Sequence, residues 1–201
     1  RDQLQMGAGV PMDAIEKGEV TQWESPFKPM SVSQVEVLGT ALRQPGCKLR
    51  ELLLMDGGID AAGVVVLAKA LAVEKTSLEV LNMMDCGLGA ESVAPLVEML
   101  KVNTTLKELT LGGKGFGAEC VVPLLEMLKV NTTLKNLTLY DNELSGPECV
   151  ALLVEVLKVN TTLTEPWLCR NGFDEAAKQQ LRDAAKEREE RTGVKLELHL
   201  Q

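Results

Sequence analysis

The chain has 201 residues, 45% hydrophobic and 25% charged, with a net charge of −8 at neutral pH. That length suits one domain, able to bury roughly 70% of the surface its unfolded form exposes. Surplus acid argues against nucleic-acid phosphate as a partner, and no apolar run approaches the roughly 20 residues of a membrane span.

Residues 1–32 read as an N-terminal arm or cap: Gly, Pro and apolar groups stand there without periodicity, and Trp23 and Phe27 are its candidates for covering the end of a core. The start at Arg1 shows no charged-then-apolar leader, so no signal peptide is expected. The missing Met reads as trimming from a longer protein. Residues 33–48 are a partial repeat, in which Ser33 to Arg43 resemble a repeat helix without its strand, with Val35, Leu38 and Leu42 at i, i+3 and i+7.

From Leu49 a phrase repeats. Leu49, Leu78, Leu106, Leu134 and Leu163 stand 29, 28, 28 and 29 residues apart, each opening a variant of Leu106-Lys-Glu-Leu-Thr-Leu. A period near 28 residues specifies one supersecondary unit per repeat, stacked on its neighbours. The units are 49–77, 78–105, 106–133, 134–162 and 163–173. Leu109 and Leu111 alternate with polar residues, as in a strand with one buried face. Val121, Leu124, Leu125 and Leu128 then recur at i, i+3, i+4 and i+7, which is one face of a helix. Pro95 and Pro123 lie inside such patterns and are tolerated only in a first turn, so the helices should start no earlier than about Glu91 and Glu119.

Each helix ends in Val-Asn-Thr-Thr. Asn103, Asn131 and Asn160 suit a left-handed helix-ending residue. The same triplets, with Asn136-Leu-Thr138, read as Asn-x-Thr glycosylation signals, but the repeat needs this turn in any case. Residues 174–201 form the far end: Asp174 is an N-cap, a charged helix runs to Gly193, and Val194, Leu196, Leu198 and Leu200 alternate as a closing strand. The charged helix is expected to be a solvated cap.

The pattern L-x-x-L-x-L-x-x-N/C-x-L, clearest in Leu78…Leu88 with Cys86 and Leu134…Leu144 with Asn142, resembles the ribonuclease-inhibitor-like subtype of leucine-rich repeats. The resemblance covers residues 33–173 and implies an α/β leucine-rich-repeat solenoid: a curved parallel sheet on the concave side, helices on the convex side. Gly57 and Lys114 replace the Asn or Cys of the pattern, so those turns should be looser. Pro166 replaces an inward Leu and removes a ladder donor, so pairing should weaken there.

Outward strand positions carry the functional reading. One row is Glu51, Val80, Glu108, Asn136, Glu165; the next is Leu53, Asn82, Thr110, Thr138, Trp167; the third is Met55, Met84, Gly112, Tyr140, Cys169. A solvated face has no need of Leu53, Met55, Met84, Tyr140 and Trp167, whereas interfaces favour such anchors. With Asp85, Asp141 and Arg170 at the rim, they are the candidate protein-binding site; packing against the terminal arm or one another is the competing reading. Catalytic constellations are not found. His199 is the single His, Glu51 and Glu108 are a surface row, and Gly112–Gly117 lacks the Gly-Lys-Ser/Thr ending of a phosphate loop, with Phe116 filling an inward slot. Five cysteines without a Cys-x-x-Cys pair form neither a zinc nor a disulfide pattern; Cys120 and Cys149 should be small buried hydrophobes in a reducing, cytoplasmic compartment.

The expected function is a noncatalytic protein-interaction module or scaffold subunit of a larger assembly, cytoskeletal or organellar, with no cofactor, metal, nucleic acid, membrane insertion or small-molecule substrate. The resemblance also admits a GTPase-activating protein, which would need an exposed Arg such as Arg50 or Arg170, and a cytoskeletal regulator similar to tropomodulin.

Overall fold

A computed structural model describes residues 3–4, 11–25, 29–56, 58–113 and 116–201. The repeating phrase becomes seven short strands: β1 (Gln3–Leu4), β2 (Gln22–Glu24), β3 (Glu51–Leu53), β4 (Val80–Asn82), β5 (Glu108–Thr110), β6 (Asn136–Thr138) and β7 (Glu165–Trp167). They form one sheet in chain order, with every pair parallel. The intervening helices are α1 (Met12–Glu16), α2 (Val32–Leu42), α3 (Ala61–Leu71), α4 (Ala90–Val102), α5 (Ala118–Leu128) and α6 (Pro147–Val159), and α7 (Glu175–Thr192) follows β7. From α1 to α7 each helix packs on the next. Parallel neighbours need a crossover, and the helices supply it. Alternation then decides the faces: Leu52, Leu81, Leu109 and Leu137 are buried beneath the helices, and their strand neighbours line the open concave side. The fold is the α/β solenoid expected.

Local chemistry sets the helix ends. Ser31 accepts from the Gln34 amide at 3.3 Å while Gln34 accepts from the Ser31 amide at 2.9 Å, a capping box at α2. Asp174 accepts from the Ala177 amide at 2.7 Å, and α7 stops at Gly193 in the left-handed region at φ 70°.

Several expectations change. The arm is not aperiodic. Val20, Trp23 and Ser25 occupy the places of Leu49, Leu52 and Leu54 one repeat earlier; all three are buried, and Trp23 pairs with Leu52. The helix at 33–43 therefore does have its strand. Phe27, Gly57 and Lys114 lie outside the described residues.

Pro95 and Pro123 are the sixth residues of α4 and α5, which begin at Ala90 and Ala118, so they sit beyond the first turn. Both lie on the outer side, half-buried and exposed respectively, where a carbonyl left without a donor meets water. Asn103 and Asn160 are extended, with φ −69° and −71°, rather than left-handed. The side chains do the work instead. In each repeat the buried Asn accepts from the amides two and three residues ahead and donates backward: Asn103 Nδ2 to Leu71 O at 3.0 Å, Asn131 to Leu100 O at 2.8 Å, Asn160 to Leu128 O at 2.7 Å. An asparagine ladder thus ties helix ends to strand starts, and its burial leaves no room for a glycan.

Pro166 does not weaken β6–β7, which keeps its three-residue register. Inward residues donate forward along the stack, as Leu54 to Asn82 O, Leu111 to Thr138 O and Leu168 to His199 O. The donor missing at Pro166 therefore faces the C-terminal segment. That segment makes a single parallel bridge, Trp167 to His199, in place of a full strand. Nor is α7 fully solvated: Arg188 is wholly buried and its three guanidinium nitrogens have no hydrogen-bond partner. Burial pulls its pKa down.

Candidate protein-binding face

The register turns the outward positions into rows. Glu51, Val80, Glu108, Asn136 and Glu165 are successive Cα partners, as are Leu53, Asn82, Thr110, Thr138 and Trp167. Glu51 and Glu108 are kept apart by Val80, so they form no carboxylate pair. The third row lies just past the strands, where Asp56 N donates to Met84 O at 3.0 Å, Asp85 N to Gly112 O at 2.9 Å, Gly113 N to Tyr140 O at 3.1 Å and Asp141 N to Cys169 O at 3.2 Å.

These donors mark the rim. Asp56, Asp85, Asp141 and Arg170 all adopt left-handed backbone, with φ from 53° to 59°, as does Gly113 at 90°. Asp bears this conformation better than most residues, and it swings the chain out of the sheet toward the next helix. Asp85, Gly113, Asp141 and Arg170 thus hold one position in four successive turns of the coil, with glycine in place of a charged residue at the second. A Cβ at Gly113 would stand 2.0 Å from Asp85 Oδ1, so the Asp85 carboxylate occupies that space.

The structure brings some candidates together and separates others. The Arg170 guanidinium carbon lies 5.3 Å from the Tyr140 ring centroid, within cation–π range. Trp167 stacks on His199 with centroids 3.7 Å apart and planes 10° apart, and its Nε1 donates to Glu165 Oε1 at 3.1 Å. Glu165 Oε1 also lies 3.6 Å from His199 Nε2, an ion pair when the imidazole is protonated. Trp167 is 39% exposed, so one ring face belongs to the C-terminal segment and much of the rest is open. Leu53 on β3, and Met55 and Met84 just past β3 and β4, are half-buried. Four strand steps separate Leu53 from Trp167, about 19 Å at roughly 4.8 Å per step. The candidates therefore divide into two clusters, an aliphatic one of Leu53, Met55 and Met84 and an aromatic one of Tyr140 and Trp167 with Arg170, while Asp85 and Asp141 stand along the rim. His199 joins the second across 32 residues of sequence; alternation in residues 194–200 placed it on the strip, but no sequence signal pairs it with Trp167.

A family model described as "Leucine Rich repeat" matches residues 74–97. Among solved structures, one described as "Leiomodin-1 Actin-Binding Site 2 (ABS2)" superposes with a TM-score of 0.66 at 15% identity, over 82% of this chain and 93% of that one. The chain has the leucine-rich-repeat fold. No curated protein matches it in sequence.

The leucine-rich-repeat signature places Cys86, Asn142 and Asn171 at corresponding turns, and they serve one purpose. The Cys86 thiol donates to Leu54 O, Asn142 Nδ2 to Leu111 O at 2.9 Å and Asn171 Nδ2 to Leu139 O at 2.7 Å. Burial pushes the Cys120 and Cys149 thiols up, which keeps them protonated. Of the two arginines near the sheet edge, Arg50 pairs with Glu79 at 3.4 Å and Arg170 lies over Tyr140. Among the described residues no group of three or more His, Cys, Asp or Glu could hold a metal ion, and no helix is long and apolar enough to cross a membrane.

Proposed function

We propose that this protein is an interaction module that binds a protein partner through the concave face, with Tyr140, Arg170 and Trp167 as its energetic centre. The supporting observation is the half-open aromatic cluster: Arg170 over Tyr140, and Trp167 braced from behind by His199. Braced rings lose little rotamer freedom on binding, which lowers the cost of using them. Leu53, Met55 and Met84 extend the contact, and Asp85 and Asp141 give a charged rim that excludes wrong partners. A cytoplasmic setting fits the five unpaired cysteines. The test is affinity capture from native lysate with the wild type and with Tyr140→Ala/Trp167→Ala. A partner retained by the first at a hundredfold higher yield than by the second supports the reading; equal retention removes this face.

A second reading is regulation of actin filaments, favoured by the likeness in fold to the leiomodin actin-binding site. Filament cosedimentation tests it, and a pellet free of the protein at micromolar actin rules it out.

A further inference from the structure

We infer that the strand-start edge of this solenoid carries a second binding site, separate from the concave face, that seats an acidic, extended peptide. The site exists because the asparagine ladder is incomplete. Asn103, Asn131 and Asn160 stand three residues before Leu106, Leu134 and Leu163 and fill the returns between helix and strand. At the two preceding returns the same position is Gly46 before Leu49 and Lys75 before Leu78. Neither side chain can donate and accept as Asn does. A cleft of about 410 Å³ opens there, and a smaller one of about 220 Å³ shares its Cys47, Thr76 and Ser77 wall.

Charge decides the ligand. Arg43, Lys48, Arg50 and Lys75 line the two recesses, all exposed, in a molecule whose net charge is −8. The one acid among the lining residues is Glu79. Its carboxylate is already engaged, 2.6 Å from Lys107 and 3.4 Å from Arg50, and these contacts hold its pKa down. Lys48, Lys75 and Arg43 are therefore the cations left for a ligand, and Thr76 and Ser77 add hydroxyls.

Lys48 lines the larger recess, and Arg43 and Lys75 the smaller, so the cations are divided between two adjoining recesses. A single small anion would use one of them; a chain bearing several carboxylates about 3.3 Å per residue apart uses all. Nucleic acid fits less well, because among the described residues no aromatic ring lines the cleft for base stacking. An anionic membrane would have to enter a recess rather than lie on a flat surface.

The experiment is titration of the full chain with a fluorescein-labelled glutamate decamer in low salt. Binding should be saturable and fall at least tenfold in 0.5 M salt. Arg43→Glu/Lys48→Glu/Lys75→Glu should lose at least tenfold affinity, whereas the equal charge reversal Lys178→Glu/Arg182→Glu/Lys186→Glu on α7 should lose less than twofold. A Gln version of the cleft triple, less liable to disturb folding, should lose about half as much on a logarithmic scale. Tyr140→Ala should bind the decamer normally, which keeps this outcome independent of the concave-face reading. Equal losses in the two charge-reversed proteins overturn the inference. So does tighter binding of a single-stranded RNA decamer, or recruitment to phosphatidylserine vesicles without decamer binding.

Discussion

Asn131 shows how much one side chain can hold. Its Nδ2 donates to Leu100 O at 2.8 Å, and its Oδ1 accepts from the Thr133 and Leu134 amides at 3.1 and 2.9 Å. It is buried, so no water replaces these partners. Asn131→Ala strands one carbonyl and two amides, each net bond being worth about 1 kcal/mol and each unsatisfied group more. Urea unfolding should show a loss of about 3 kcal/mol. A loss below about 1 kcal/mol would mean that the ladder is decoration on leucine packing. The Asn-Thr-Thr triplets drew attention to this position in the sequence, but only as a backbone preference. Residue type reports what φ an Asn tolerates; it does not report a carbonyl one repeat away that the side chain can reach. Arg188 was hidden for the reverse reason. It sits in a run of charges along α7, and its residue type masked a position that the spacing i, i+3, i+4 and i+7 from Leu181, Ala184 and Ala185 puts on the buried face.

At the level of elements, the strands were legible because a period of two admits no ambiguity. Once Leu109 and Leu111 point inward, Glu108 and Thr110 must point out, and the rows follow. The strand β2 escaped because Trp23 and Ser25 stand where Leu is expected, although Val20 keeps the spacing to Leu49. The weak closing strand has a cause in one residue. Pro166 has no N–H where the ladder should reach toward Glu197, and the adjoining bonds Glu197 N to Thr164 O and His199 N to Pro166 O remain, at 2.8 and 3.1 Å. Pro166→Leu restores both the donor and the inward Leu. Stability should rise by about 1 kcal/mol, and the amide at position 166 should become protected in hydrogen exchange. A freely exchanging amide there would show that the missing donor points elsewhere. The gain has a functional side: a firmer segment holds His199 more firmly behind Trp167.

On the scale of the whole molecule, contacts among the described elements run between neighbours, α1 on α2 through α6 on α7. Stability is then a sum of units and their interfaces, and the ends decide whether the stack unfolds as one. The clusters of the concave face share this dependence. Leu53, Met55 and Met84 belong to the middle of the stack, while Trp167 relies on residues that follow α7. Removing residues 174–201 uncovers the side of α6 that meets Ala177, Leu181 and Ala185, all buried in the full chain. In a Trp167→Phe background, Trp23 is the one remaining tryptophan, and it reports β2 at the opposite end. For the full chain, Trp23 fluorescence and far-ultraviolet circular dichroism should give coincident urea transitions. For the truncated chain, the circular dichroism should begin to fall first, because α6 frays while β2 stays native. Coincident transitions after truncation would mean that coupling extends beyond nearest neighbours, and the two clusters of the face would then have to be treated as one cooperative surface.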